Sequence, residues 1–424
     1  MNRTAILCTA IGSLSLLAAA ALLTAGPLDP PAGPVTPTYK TLSEVEPRVA
    51  INLTNTPGDS DSIFKITQPG SYYLTGSITA VPGKHGIEIA ASGVTIDLNG
   101  FDLVGIQGMG PFDGVSATVA GLSNLTVTNG SVRNWGDEGV DLGSVSVTNA
   151  RVAGVLASGN SGAGISVSTR GSVLDCAASL NADGGILTNS SCAVINCTAS
   201  GNTGSGVSVA DGSTVANCST NSNSINGIRA FGFGCTITGC SAFANAASGI
   251  SANQEGCTIS GCSVNSNGGT GIIAGGGSTV WNCSAFASVG SGISIGNAGT
   301  VVDCSCFGNR LDGIVCVVGC TIRGNTCMTN GLLSGNGAGI HSTGPDNRIE
   351  GNNCTDADRG IDVDAAGNMI IGNTCSGNTI NWDIIANNVF GPIIDRTAPG
   401  SATVSGNSAP DSTGTTHPHA NFTY

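Results

Sequence analysis

A Gly-Ile or Gly-Val pair returns about every 21 residues through most of this chain. The pairs begin at Gly164, Gly185, Gly206, Gly227, Gly249, Gly271, Gly292, Gly313, Gly339 and Gly360, with spacings of 21, 21, 21, 22, 22, 21, 21, 26 and 21. A unit of that length cannot bury an apolar face by itself. Stacked on copies of itself it can, so a fixed period in this range predicts a solenoid.

Inside each unit, apolar residues alternate with small polar ones over three to five positions, which is the periodicity of a strand. No stretch keeps helical spacing. Cys176, Cys197, Cys218, Cys240, Cys262, Cys283 and Cys304 follow their glycines by 12 or 13 residues, and the residue before each is Asp, Asn or Gly. Those residue types suit a left-handed bend. Five residues after the cysteines come Asn181, Asn202, Asn223, Asn245, Asn267 and Asn309, with Ser288 as the break. Stacked asparagines can satisfy the backbone of the neighbouring turn. The expected fold is all-β: a single-stranded parallel β-helix of about 13 coils over residues 86–390, three short strands to a coil, with coils about 4.8 Å apart. Residues 41–85 contain Phe64, Tyr72 and Tyr73 and read as an N-terminal β cap over the first coil.

Two segments carry a family resemblance. The stretch Gly93-Val94-Thr95-Ile96-Asp97-Leu98-Asn99-Gly100 resembles an opening coil, and Phe64 to Leu74 is similar to a cap, of right-handed parallel β-helix proteins of the pectate-lyase-like superfamily. The chain is also similar to secreted bacterial β-helix repeat proteins of unassigned activity. The right hand of the coil is what the resemblance implies; the period does not supply it.

The chain ends differ in composition. Residues 1–25 read as a signal peptide, with Arg3 before an apolar stretch and small residues near Ala25. A retained membrane anchor is the rival reading. Residues 26–40 form a Pro-rich linker, and 391–424 are Ser/Thr/Pro-rich, expected to be disordered despite His417 and His419. The expected location is secreted or cell-surface, with no membrane span after cleavage. A net charge of −13 argues against nucleic acid as a partner. Seventeen cysteines in such a chain allow disulfides, but their recurrence with the repeat favours buried thiols; both remain open.

If the Ile or Val of each pair points inward, the next residue points out. That outward column runs Asp141, Ser166, Leu187, Ser208, Arg229, Ser251, Ile273, Ser294, Val315, His341, Asp362. Only its last members suggest chemistry. His341 and Asp362 would sit on adjacent coils, a pairing suited to general acid–base work. Arg359 and Asp364 flank Asp362, and Asp312 ends the coil before His341; these three would bind ligand, and Asp362 with Asp364 could hold Ca2+ through oxygen. The longest coil, with its insertion at 329–336, falls here, and insertions in solenoids overlie binding faces. The bland alternative is a set of surface ion pairs. Because lysines and arginines are scarce in the central coils, the leading expectation is a structural or carbohydrate-binding protein, with polysaccharide or cell-surface glycan as partner and no catalysis. A polysaccharide lyase or glycosidase acting at His341 and Asp362 is the alternative. A row of outward threonines, Thr214, Thr236, Thr258, Thr279, Thr300 and Thr321, raises ice binding as a weaker one.

Overall fold

The computed structural model describes residues 46–331, 337–397 and 415–424. The expected signal peptide, the linker, the first residues of the cap, most of the insertion and residues 398–414 lie outside them. From Arg48 onward the described residues form one compact unit.

Every described element is a β-strand, and the ladders between named strands are parallel. Each coil contributes three strands. One of them, the strand that opens with the Gly-Ile pair, stacks into a sheet of 15 strands from Ser62–Ile66 to Ile380–Ile384, here called face 1. The other two strands of each coil stack into a second sheet of 30 strands that bends at the cysteine corner. Face 2 is the threonine-bearing side of that sheet and face 3 the serine-bearing side. The 15 rungs of face 1 exceed the expected 13 because the cap strand Ser62–Ile66 and the closing strand Ile380–Ile384 also stack in register.

The interior is built from columns of equivalent residues, one to a rung. Ile165, Ile186, Val207, Ile228, Ile250, Ile272 and Ile293 are fully buried and lie over one another along face 1. Each such side chain contributes about 1.5–3 kcal/mol by leaving water. The asparagines form the expected ladder. Asn202 Oδ1 accepts the N–H of Asn181 at 3.0 Å and its amide at 2.9 Å, while the Asn202 amide donates to Ala178 O at 3.1 Å. The pattern recurs at Asn223, Asn245 and Asn267 and extends beyond the expected members to Asn160 and Asn330. All sixteen described cysteines are buried and unpaired.

The C-terminal composition argued for disorder, yet two pieces of it are ordered. Ile393–Asp395 pairs with Asn421–Thr423, and the latter also pairs with Thr374–Cys375 of the last coil. Trp382 Nε1 donates to Thr423 Oγ1 at 2.8 Å. The reason is the open ladder of the final coil: Asn421 supplies the next acceptor for Asn373 N–H, at 2.9 Å.

Candidate functional site

Face 1 presents its outward column in the expected order, rung by rung. Val315 pairs with His341, His341 with Asp362, and Asp362 with Asp383, a residue the Gly-Ile pattern did not reach. Asp312 stands at the turn that feeds the strand Ile314–Cys316. Its Oδ1 accepts the N–H of Ala338 at 2.8 Å, which fixes the carboxylate. Its Oδ2 then lies 3.6 Å from His341 Nδ1. On the other side of the ring, His341 Nε2 meets Asp364 Oδ2 at 2.9 Å. The imidazole is thus held between two carboxylates from different coils.

The expected direct pair, His341 with Asp362, is one of register and not of hydrogen bonding. Asp362 is only 6% exposed, and its Oδ2 lies 3.4 Å from a terminal guanidinium nitrogen of Arg359. Arg359 Nε donates to Asp383 Oδ2 at 2.8 Å. So Arg359, expected from sequence to bind ligand, is engaged by two carboxylates of the protein itself.

Charge states follow from this packing. The hydrogen bond to Asp312 raises the His341 pKa; burial opposes it, and Asp364 adds to the rise, bringing it to about 9. At neutral pH the ring is an imidazolium. It has a proton to donate and no lone pair to accept one. Burial raises the Asp362 pKa, against the pull of His341 and Arg359. Ligand atoms of His341, Asp362 and Asp364 all lie within 4.8 Å of one another. That set suits a hard cation poorly: Ca2+ takes oxygen, and here the ring is itself a cation bonded to Asp364.

Over residues 85–235 and 211–352 the sequence matches the family described as the right-handed β-helix region. The chain belongs to that family. Among solved structures, this β-helix is similar to the A-module of the mannuronan C-5 epimerase AlgE4 of Azotobacter vinelandii, at 14% identity over 81% of this chain and 88% of that one, with a TM-score of 0.42. A periplasmic alginate epimerase, AlgG, aligns at 13% identity over 72% and 80%, with a TM-score of 0.45. The Dettilon tailspike protein aligns at 16% over 72% and 59%, with a TM-score of 0.39. No curated protein matches the sequence.

The β-helix carries a second charged cluster that sequence reading missed, at the opposite end of face 1. The outward column there is Lys65, Glu88, Ser116 and Asp141. Lys65 Nζ bridges Glu88 Oε1 at 2.8 Å and Asp59 Oδ2 at 2.7 Å. Nearby, Asp113 Oδ1 accepts the N–H of Glu138 at 3.0 Å, and the N–H of Asp113 donates to His85 Nδ1 at 2.9 Å. Burial, with Asp113 and Asp137 close by, pushes the Glu138 carboxyl up to about 9. The signal was present as Gly86-Ile87, Gly114-Val115 and Gly139-Val140, but spaced 28 and 25 residues apart, then 25 more to Gly164.

The threonine row is real as geometry. Thr214, Thr236, Thr258, Thr279, Thr300 and Thr321 are in register on face 2. The parallel outward column on the same strands runs Ala216, Thr238, Ser260, Trp281, Val302 and Arg323, with Trp281 48% exposed. A bulky indole in the middle of that column interrupts any flat face.

Proposed function

We propose that this protein is an extracytoplasmic β-helix that binds carbohydrate along face 1, anchored at the cluster of His341, Asp312, Asp362, Asp364, Arg359 and Asp383, without cleaving it. The observation that carries this reading is the His341 ring held between Asp312 and Asp364 on an outward sheet surface. Fixed charges of both signs offer strong hydrogen bonds to sugar hydroxyls, which both donate and accept. Rungs about 4.8 Å apart give a straight track on which an extended glycan can lie.

Three features speak for binding over catalysis. His341 is protonated at neutral pH and cannot begin a reaction as a base. Arg359 is occupied by Asp362 and Asp383. The cluster holds four carboxylates against two cations, which disfavours polyuronates at this spot. One observation favours the enzymatic alternative: Asp362 is a buried carboxyl with a raised pKa beside a proton donor.

A glycan-binding array, followed by calorimetry and an assay for new reducing ends and unsaturated products, separates the readings. Binding of a neutral glycan that weakens about tenfold in His341→Ala and Asp364→Ala, with no product formed, is the expected result. Product formation abolished in Asp362→Asn would establish the enzyme. No glycan bound at all would end both.

A further inference from the structure

A groove of about 550 Å3 lies on face 2 toward the N-terminal end of the β-helix, off the face that carries His341. Thr95, Thr126, Arg151 and Ser172 line it in register on four successive rungs. They belong to the column that two rungs later becomes the threonine row. Arg170 stands at the groove's edge, on the corner where face 1 turns into face 2, with Asn124 and Asn149 on the two rungs before it. Both arginines are exposed, and no carboxylate lines the groove.

Arg170 is marked by the position it occupies. This corner enters the left-handed region on every rung from Gly93 to Gly367, and Arg170 itself has φ 59°. Every other occupant is Gly, Asn, Ser, Ala or Asp. Glycine takes that conformation freely, and Asn visits it with the help of local hydrogen bonds. Asn149 Nδ2 donates to Asn124 Oδ1 at 3.3 Å, and Arg170 ends that short ladder. A long side chain gives the bend nothing. Kept in a sparsely populated backbone region, it directs attention to what it can reach. That is the groove which Arg151 enters from the rung before.

The two cations set the ligand. A guanidinium is a planar fork whose N–H groups pair with two oxygens of one anion. Two forks on neighbouring rungs call for more oxygens than one carboxylate has, and a tetrahedral phosphate supplies them. The hydroxyls of Thr95, Thr126 and Ser172 are further donors to the same group. No aromatic or large aliphatic side chain lines the groove, so it offers no platform for a sugar ring or an acyl chain.

We propose that Arg151 and Arg170 form an anion site on face 2 for a terminal phosphate group, free in solution or carried on a lipid headgroup. The site is independent of the glycan reading for the His341 cluster.

The test is calorimetric titration of the full chain with inorganic phosphate and with acetate at constant ionic strength, joined to co-sedimentation with phosphatidylcholine vesicles with and without phosphatidic acid. Phosphate is expected to bind with a Kd of about 1 mM, and about tenfold more weakly in Arg151→Gln. Acetate is expected not to bind at the same concentrations. Arg170→Asn is expected to weaken phosphate about tenfold and to raise the urea midpoint, because Asn suits the bend. A merely structural Arg170 would move the midpoint and leave the affinity alone. Retention only on vesicles containing phosphatidic acid, lost in both variants, assigns the phosphate to a lipid; phosphate binding without retention assigns it to a soluble ligand. Phosphate affinity unchanged in both variants, or acetate bound as tightly as phosphate, would overturn the proposal.

Discussion

At the level of single residues, the glycines and asparagines of the repeat do different work from what their conformational freedom alone suggests. The glycine of each Gly-Ile pair is needed for closeness. A Cβ on Gly206 would come within 2.7 Å of Asn223 Nδ2 and 2.8 Å of Gly227 O, in the next rung. The left-handed positions are elsewhere, at Asp175, Asn196, Asn217, Gly239, Gly261, Asn282 and Asp303, just before the cysteine corner, where the sequence placed them. The asparagine ladder is satisfied except at Ser288, whose buried Oγ has no partner. A serine is too short to reach both neighbouring rungs. Ser288→Asn is therefore expected to stabilise the protein by about 1 kcal/mol, and Asn267→Ala to destabilise it by about 2 kcal/mol or more, because the Asn245 N–H and amide lose their acceptor. Urea denaturation reads both. A lower midpoint for Ser288→Asn would mean that the ladder is not a continuous acceptor chain.

At the level of strands, one column explains two residue types. In the column from Cys176 to Cys304 each thiol donates to the carbonyl two residues back, as Cys176 does to Leu174 O at 3.1 Å. After Cys304 the same corner is taken by Asn325, Asn352, Asn373 and Asn421, each accepting the N–H of the residue one rung earlier at 2.9 Å. The cysteines of this column are thus corner-formers, and all sixteen described cysteines are free thiols. The outward column of face 1 was legible from Asp141 to Asp362 because strict spacing makes equivalent residues neighbours. Asp383 was not, because Trp382 replaces the Ile of the pair and hides the last rung. Side-chain partnering was also illegible: which carboxylate meets His341 depends on Asp362 turning to Arg359, and register does not specify that. The clamp has a consequence for stability. With a folded pKa of about 9, above its ordinary 6.5, His341 stabilises the fold fully below about pH 6.5, and that contribution is lost as pH rises through about 9. His341→Gln is expected to flatten this part of a thermal-melting profile; an unchanged profile would place the proton elsewhere.

At the level of the whole molecule, a solenoid must protect two open ends. The far end is closed by Ile393–Asp395 and by Asn421–Thr423 laid on the last coil. Unpaired strand edges template association. Deleting residues 415–424 removes the acceptor for Asn373 and the partner of Trp382. The shortened chain is expected to self-associate more than the full chain in size-exclusion chromatography with light scattering; an unchanged mass would show that the last strand is not a cap.

The proposed function rests on the meeting of side chains from separate coils, Asp312, His341 and Asp364, on one flat surface. Nitrogen-15 NMR of the histidine rings, with His341 assigned by comparison with His341→Gln, observes that meeting directly. The expected result is a His341 ring that stays doubly protonated through neutral pH and titrates near 9. A titration close to 6.5, the ordinary value for a free imidazole, would mean that the two carboxylates do not close on the ring and that the anchoring site proposed for glycan is not there.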